Sequence, residues 1–185
     1  GKPDCPYCGG VGFLRVDVPV GHEKFGRLEP CVCRANEIAN NARQRLYEMS
    51  NLERLSHLTF ANLNPSGNPK AEFVSPQEVA SLRDALDASE HFAKSLSGWL
   101  LLEGSYGCGK THLAAAIANE CVQRGVPTLF ITVPDLLDSL RFAYADPETT
   151  FEERFETIRT ADLLVMDDFG TQNATGWAKE KLFQI

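Results

Sequence analysis

An α/β fold built on a parallel sheet is the architecture this 185-residue sequence predicts. Three observations lead there. From residue 98 onward, short apolar runs alternate with longer stretches of helical period, the pattern of strands joined by crossover helices. A glycine-rich turn, Gly104-Ser105-Tyr106-Gly107-Cys108-Gly109-Lys110-Thr111, separates the first such run from the helix that follows it. A later run, Leu163-Leu164-Val165-Met166, ends in two carboxylates, Asp167 and Asp168. A buried strand delivers such groups to the C-terminal edge of a sheet, where ligands bind in α/β folds.

The elements follow in chain order. Residues 1–33 are rich in Gly, Pro and Cys and predict a small loop-and-hairpin module. Over 34–57, Ile38, Ala42, Leu46, Met49 and Leu52 recur at helical spacing and predict a connecting helix. Residues 61–75 are crowded with Asn, Pro, Ser and Gly, which marks a loop. Ser75, Pro76 and Glu78 then form a helix start, with a run to about Ser95. Residues 98–103 predict a buried strand, 111–124 a helix stopped by Gly125, and 128–133 a second strand. Pro134 opens a helix through about Tyr144. Thr149 or Thr150 caps another to about Arg159, 163–166 is a third strand, and 179–185 is helical. The expected organisation is a module over 1–33, a linker helix over 34–58 and a main domain over 59–185. Phe130, Phe142, Phe155 and Phe183 are expected in the core, with Cys121 buried. His57 and His91 read as packing residues, and Glu152, Glu153 and Glu156 as a solvated helix face.

The net charge of −7 is uneven: residues 1–60 carry +1 and residues 61–185 carry −8. An acidic chain is a poor non-specific binder of nucleic acid, so any DNA contact must be local or made by an assembled oligomer. No apolar run is long enough to span a bilayer, and no secretory signal opens the chain. The expectation is a cytoplasmic protein with no membrane partner, in a reducing compartment where clustered cysteines read as metal ligands.

Gly104-x4-Gly109-Lys110-Thr111 fits the phosphate-loop pattern G-x-x-x-x-G-K-[ST], and each position has its chemistry. Glycines let backbone N–H groups turn inward around phosphates. Lys110 brings a point charge to the β- and γ-phosphates, and the Thr111 hydroxyl suits magnesium. The helix that follows starts at the bound anion, where its dipole favours negative charge. Ser105, Tyr106, Gly107, Cys108 and His112 belong to the same nucleotide-binding stretch. Cys108 reads as a small filler with an oxidation-sensitive thiol, and His112 as a packing residue beside Thr111. Asp167 is expected to hold magnesium, directly or through water, and Asp168 to orient or deprotonate the attacking water. Lys110 and Asp168 are thus the expected catalytic groups, with ATP and Mg2+ as ligands.

Together, Gly107-Cys108-Gly109-Lys110-Thr111-His112-Leu113-Ala114, the stretch 162–170 around Asp167 and Asp168, the segment 130–137 and Trp177-Ala178-Lys179-Glu180-Lys181-Leu182-Phe183 resemble the AAA+ ATPases of the DnaC/IstB-like group. The resemblance runs from about Thr59 to the end. It implies an AAA+ P-loop core, a parallel sheet flanked by helices, in a bacterial or phage helicase loader or a transposition helper. ATP would lie between subunits of an oligomer that grips single-stranded DNA or a helicase ring. An extra helix before the acidic strand resembles the insertion that faces DNA in the initiator clade; Arg141 is the candidate contact there. In the group a sensor strand, an arginine finger and a lid continue the pattern past the position of Ile185. The chain, which begins on Gly, is therefore expected to be a C-terminally truncated fragment that hydrolyses ATP poorly as it stands.

Cys5-Pro6-Tyr7-Cys8 forms a two-residue knuckle followed by glycines, and Cys31-Val32-Cys33 supplies a second pair. Four thiolates suit a closed, structural Zn2+ site. Unpaired thiols or a redox pair are the alternatives, and His22 is a possible replacement ligand. So small a module buries little, and a metal would supply most of its folding energy, on the order of 10 kcal/mol. Some helicase loaders resemble this layout, with an amino-terminal zinc module that docks on the replicative helicase. That implies protein docking here, with DNA binding through Phe13, Arg15, Lys24 and Arg27 as the rival. Two other functions stay open: a transposition helper, and an ATP-gated adaptor that does not hydrolyse appreciably. A small-molecule kinase fits poorly, because nothing resembles an acceptor-binding lid.

Overall fold

Helix boundaries in this chain are set locally, by side chains that satisfy the first free N–H groups. Ser75 accepts from the amide of Glu78, and the Glu78 carboxylate accepts from the amide of Ser75, a reciprocal cap that starts a 20-residue helix at Pro76. Thr150 and Glu153 repeat the device at the start of another helix. Thr132 and Thr175 cap two more through their hydroxyls.

The computed structural model describes residues 3–64, 66, 75–143, 150–170 and 175–185. Contacts divide the chain into two units, Gly1–Gln44 and Arg45–Ile185. In the first, β1 (Phe13–Arg15) pairs antiparallel with β2 (Leu28–Pro30), with Leu14 opposite Glu29. Turns through the first cysteine pair precede this hairpin, with the amide of Gly9 bonded to the carbonyl of Cys5 and that of Val11 to Cys8. Helix α1 (Val32–Met49) begins in this unit, and its last turn lies in the second.

The second unit holds α2 (Pro76–Ser95), α3 (Lys110–Gln123), β3 (Thr128–Thr132), α4 (Val133–Phe142), α5 (Phe151–Arg159), β4 (Leu163–Asp167) and α6 (Gly176–Gln184). Strands β3 and β4 are parallel, in register from Thr128–Leu163 to Thr132–Asp167, and α4 and α5 make the crossover. Leu129 and Ile131 point into one core with Leu46, Leu136, Leu140 and Ile158. Phe130 points the other way, against Ala115 and Ala118 of α3 and Leu52. This period-2 alternation places helices on both faces of the sheet.

Several expectations are corrected. The connecting helix predicted over 34–57 spans Val32–Met49 and stops at Ser50, whose hydroxyl accepts from the amide of Leu52 and starts a 3₁₀ turn, Asn51–Leu55. Residues 98–103 are no buried strand: Trp99 is 92% exposed and Leu101 77% exposed. An apolar run becomes a strand only where a partner takes up its backbone groups. Among the described residues none does: β3 and β4 pair with each other alone, and side chains take up the far edge of β3. There, Ser50 Oγ donates to the carbonyl of Phe130 (3.0 Å) and accepts from its amide (3.1 Å), and Asn51 Oδ1 accepts from Thr132 N (3.4 Å). Phe142 and Phe183 are exposed instead of core. Phe130 is buried, and Phe155 packs on the Leu129 cluster. Tyr144, Thr149 and most of the predicted loop at 61–75 lie outside the described residues.

Candidate phosphate site and thiol cluster

The glycine-rich turn leads directly into α3. Gly109, at φ 101°, sits in the left-handed region and caps the helix, and Leu113 N bonds back to its carbonyl at 2.9 Å. Gly104, at φ 154°, also favours glycine, and a Cβ there would lie 2.8 Å from Cys108 Sγ and push that side chain aside. Lys110 Nζ donates to the carbonyls of Gly104 (3.0 Å) and Ser105 (2.8 Å), which holds the ammonium over the loop. Cys108 Sγ is 3.8 Å from the same nitrogen. Tyr106 is fully exposed at the turn. The first amides of α3 have no acceptor within the helix and are free for an anion, with the positive end of the dipole behind them.

The chain connection fixes the direction of α3 against the strands. Four residues, 124–127, separate the end of α3 at Gln123 from the start of β3 at Thr128, and Val126 N bonds back to the carbonyl of Cys121. The helix packs back along the strand, with Ala115 and Ala118 against Phe130. Helix and strands are therefore antiparallel, and the start of α3 lies toward the strand ends. The lengths agree: Cys121 back to Thr111 is about 15 Å of helix, and Leu163 to Asp167 is about 13 Å of strand. Thr111 and Asp167 thus reach the same end of the sheet, where Asp167 pairs with Thr132. The next residue, Asp168, takes a left-handed φ of 54°, which Asp tolerates better than most residues.

In the first unit, Cys5, Cys8, Cys31 and Cys33 bring their sulfurs within 4.8 Å of one another, and none is in a disulfide. Cys5 and Cys31 approach to 3.6 Å, and Cys8 and Cys33 to 3.5 Å. A tetrahedron with Zn–S bonds of about 2.3 Å has edges of about 3.8 Å, so the spacing fits that ion. The amide of Gly12 donates to Cys8 Sγ at 3.2 Å. Amides of Tyr7 and Cys8 draw the Cys5 thiol down to about 6. The amide of Cys33 works the same way on Cys31, but burial and the neighbouring thiols outweigh it and push Cys31 up to about 12. Four sulfurs this close cannot all ionise unless a cation joins them.

The family model described as IstB-like ATP binding protein matches residues 35–185. The chain belongs to this family. It resembles the replicative helicase loader DnaC of Escherichia coli (strain K12), with 32% identity over 111 residues, 58% of this chain and 45% of the relative. Similarity to the replicative helicase loader DnaI of Bacillus subtilis (strain 168) is 27% over 114 residues, 61% of this chain and 36% of the relative. A replicative helicase loader DnaC from Buchnera aphidicola subsp. Schizaphis graminum (strain Sg) is 30% identical over 119 residues, 64% and 47%. This IstB-like chain spans less than half the length of these curated relatives. The four cysteines precede the matched span.

The second unit thus brings the predicted phosphate loop and acidic pair to one end of its sheet, and the first gathers the four thiols into one cluster. His112 turns elsewhere: its Nε2 lies 2.9 Å from the carbonyl of Thr59 and 3.1 Å from Asn62 Oδ1. His22 stays outside the thiol cluster, its Nδ1 accepting from the amide of Lys24 at 3.1 Å. Sequence reasoning missed Ser50 and Asn51, which close the sheet edge, and Asn119. Asn119 had a signal: one amide in the otherwise apolar run Leu113-Ala114-Ala115-Ala116-Ile117-Ala118. No described helix is long and apolar enough to cross a membrane.

Proposed function

We propose that this chain is the ATP-binding part of an AAA+ helicase loader that acts in DNA replication in the cytoplasm. The reading rests on one observation above the others: α3 runs antiparallel to β3 and β4, so Lys110 and Thr111 start at the end of the sheet where Asp167 and Asp168 finish. The amides of residues 104–112 and the Lys110 ammonium take the phosphates of ATP. Thr111 and Asp167 hold Mg2+, which supplies charge neutralisation at the phosphates. Asp168 orients or deprotonates the attacking water. ATP turnover belongs to the full-length oligomer, where each site lies between two subunits.

The thiol cluster holds one Zn2+ through Cys5, Cys8, Cys31 and Cys33 and shapes a module that docks on the replicative helicase. The chain is organised as that zinc module over 1–33, a linker over 34–58 and the ATPase domain over 59–185. Single-stranded DNA is the other partner, reached by the assembled oligomer instead of by this acidic chain alone. The relatives named as helicase loaders support this reading over a transposition helper, and the four-cysteine cluster is a further feature in its favour.

Nucleotide binding tests the site. Lys110→Ala is expected to abolish magnesium–ATP binding while the far-ultraviolet dichroism stays that of the parent; unchanged affinity sinks the phosphate-loop reading. Capture of the replicative helicase by the full-length protein, lost on Cys5→Ser, tests the docking role, and capture of a transposase instead would favour the helper.

A further inference from the structure

One residue of α3 touches both the candidate phosphate site and a segment that no motif covers. His112 is the third residue of the helix. Its amide is among those with no acceptor in the helix, the groups a phosphate takes. Its side chain reaches the other way, to the turn Phe60–Asn62 and the residue before it. The proton on that side chain is determined by its neighbours. Asn62 Oδ1 already accepts from Thr59 N at 2.9 Å, and its Nδ2 donates to the carbonyl of His57. The amide therefore cannot flip, and Nε2 of His112 meets two acceptors, the Thr59 carbonyl and Asn62 Oδ1. Nε2 carries the hydrogen and is shared between them.

Seven residues on, two turns along the same face and about 10 Å away, Asn119 repeats the contact. It is only 8% exposed, and its Nδ2 donates to the carbonyls of Leu55 (3.0 Å) and Leu58 (2.8 Å). Between the two polar pins, Leu52, Leu55 and Leu58 pack on Ala115 and Ala118, whose small side chains let the segment approach closely. Farther along, Phe60 joins the Ile117 and Cys121 cluster. Residues 50–62 thus form a strap down α3. It begins at the sheet edge, where Ser50 bonds Phe130, and ends beside the helix start.

We propose that His112 and Asn119 are positioning residues that couple this strap to the phosphate site, so that nucleotide binding and strap order rise together. The inference rests on the phosphate-loop reading. His112 is not a nucleotide ligand through its ring; it holds the first turn of α3 in place by tying it to Thr59 and Asn62. Because linkage is reciprocal, a bound nucleotide that orders that first turn tightens the strap by the same factor.

The test uses the full chain with magnesium–ADP and amide exchange read by peptide. In the parent, magnesium–ADP is expected to slow exchange at 55–62 as well as at 104–112. His112→Phe keeps a ring but loses the donor. It is expected to weaken magnesium–ADP binding by up to about tenfold, the upper net value of one neutral hydrogen bond, and to erase the nucleotide-dependent protection at 55–62. His112→Gln restores a donor and should bind within about threefold of the parent, with the coupling retained. A merely structural role would lower the melting temperature of His112→Phe yet leave its affinity and the coupled protection alone, and that result overturns the proposal. So does a parent that binds magnesium–ADP with no change at 55–62, a measurement that stands even where His112→Phe fails to fold. A parent with no affinity for magnesium–ADP is a different failure, since it removes the phosphate-loop reading itself and the coupling with it.

Discussion

The two units of this chain are held together by different physics. Among the described residues of the first, the buried side chains are Cys5 and Cys31, and Tyr7, Val11, Val20, Leu28 and Val32 stand largely exposed. The second buries Leu129, Phe130, Ile131, Leu136, Leu137, Leu140 and Ile158 around two strands. At roughly 25 cal/mol per Å² of apolar area, the second stabilises itself by burial, and the first has almost nothing to bury. Order in the second comes from many small contacts; in the first it would come from ligation at the proposed zinc site. The two units should therefore respond differently to damage, all or none in the first and graded in the second.

Metal removal should produce the largest effect. About one zinc per chain is expected by metal analysis, absent from Cys5→Ser. Loss of the ion removes on the order of 10 kcal/mol from the unit that holds it. Amide exchange read by peptide should then show residues 3–44 unprotected while 110–167 keep the parent's protection. A chelator that leaves 3–44 protected, or a metal-free parent, breaks the comparison at its root.

Truncating the second unit's core comes next. Phe130→Ala removes a side chain 1% exposed that packs against α3 and the strap, and about 3–5 kcal/mol of stability is expected to go with it. Denaturant titration followed at Trp177, which packs on the second unit's core, gives the value. Zinc content should remain unchanged, since the residue belongs to the other unit.

Much of both units was legible in the sequence, and the reasons differ. Helix starts were readable because caps are local: Ser75, Pro76 and Glu78 carry their meaning within one turn. The turn before α3 and the strand ending in Asp167 were readable because residue type and the period of the element beside each agreed. Residues 98–103 misled for the opposite reason. An apolar run reports that a segment seeks burial, but a strand exists only through a partner's backbone, which no local pattern encodes. Phe142 and Phe183 misled likewise, since hydrophobicity does not state which side of a helix meets the core. Ser50, Asn51 and Asn119 were invisible as a set because their partners lie 61 to 81 residues away in the chain. The thiol cluster needed no such pairing information, as four cysteines in two tight pairs are scarce enough to find one another.

The smallest effect sharpens the graded half of the comparison. Helix α2 packs on α3 through Ala93, which sits with Ile117 and Cys121. Its first turn is held by the Ser75–Glu78 reciprocal cap. Ser75→Ala deletes the acceptor for the Glu78 amide and should cost about 1 kcal/mol in denaturant titration. The Glu78 carboxylate adds a pH signature. The amide and hydroxyl of Ser75 hold its pKa below the ordinary 4.5. Its folded value is therefore below its unfolded value, and its contribution is complete above about pH 4.5 and lost as pH falls through the depressed folded value. Glu78→Gln should flatten that part of the acid limb of the second unit's stability profile while leaving the neutral region nearly unchanged, because Gln still accepts from the Ser75 amide. An acid limb identical in parent and Glu78→Gln would show that the cap carries no proton linkage, and that the unit's acid response comes from its other carboxylates.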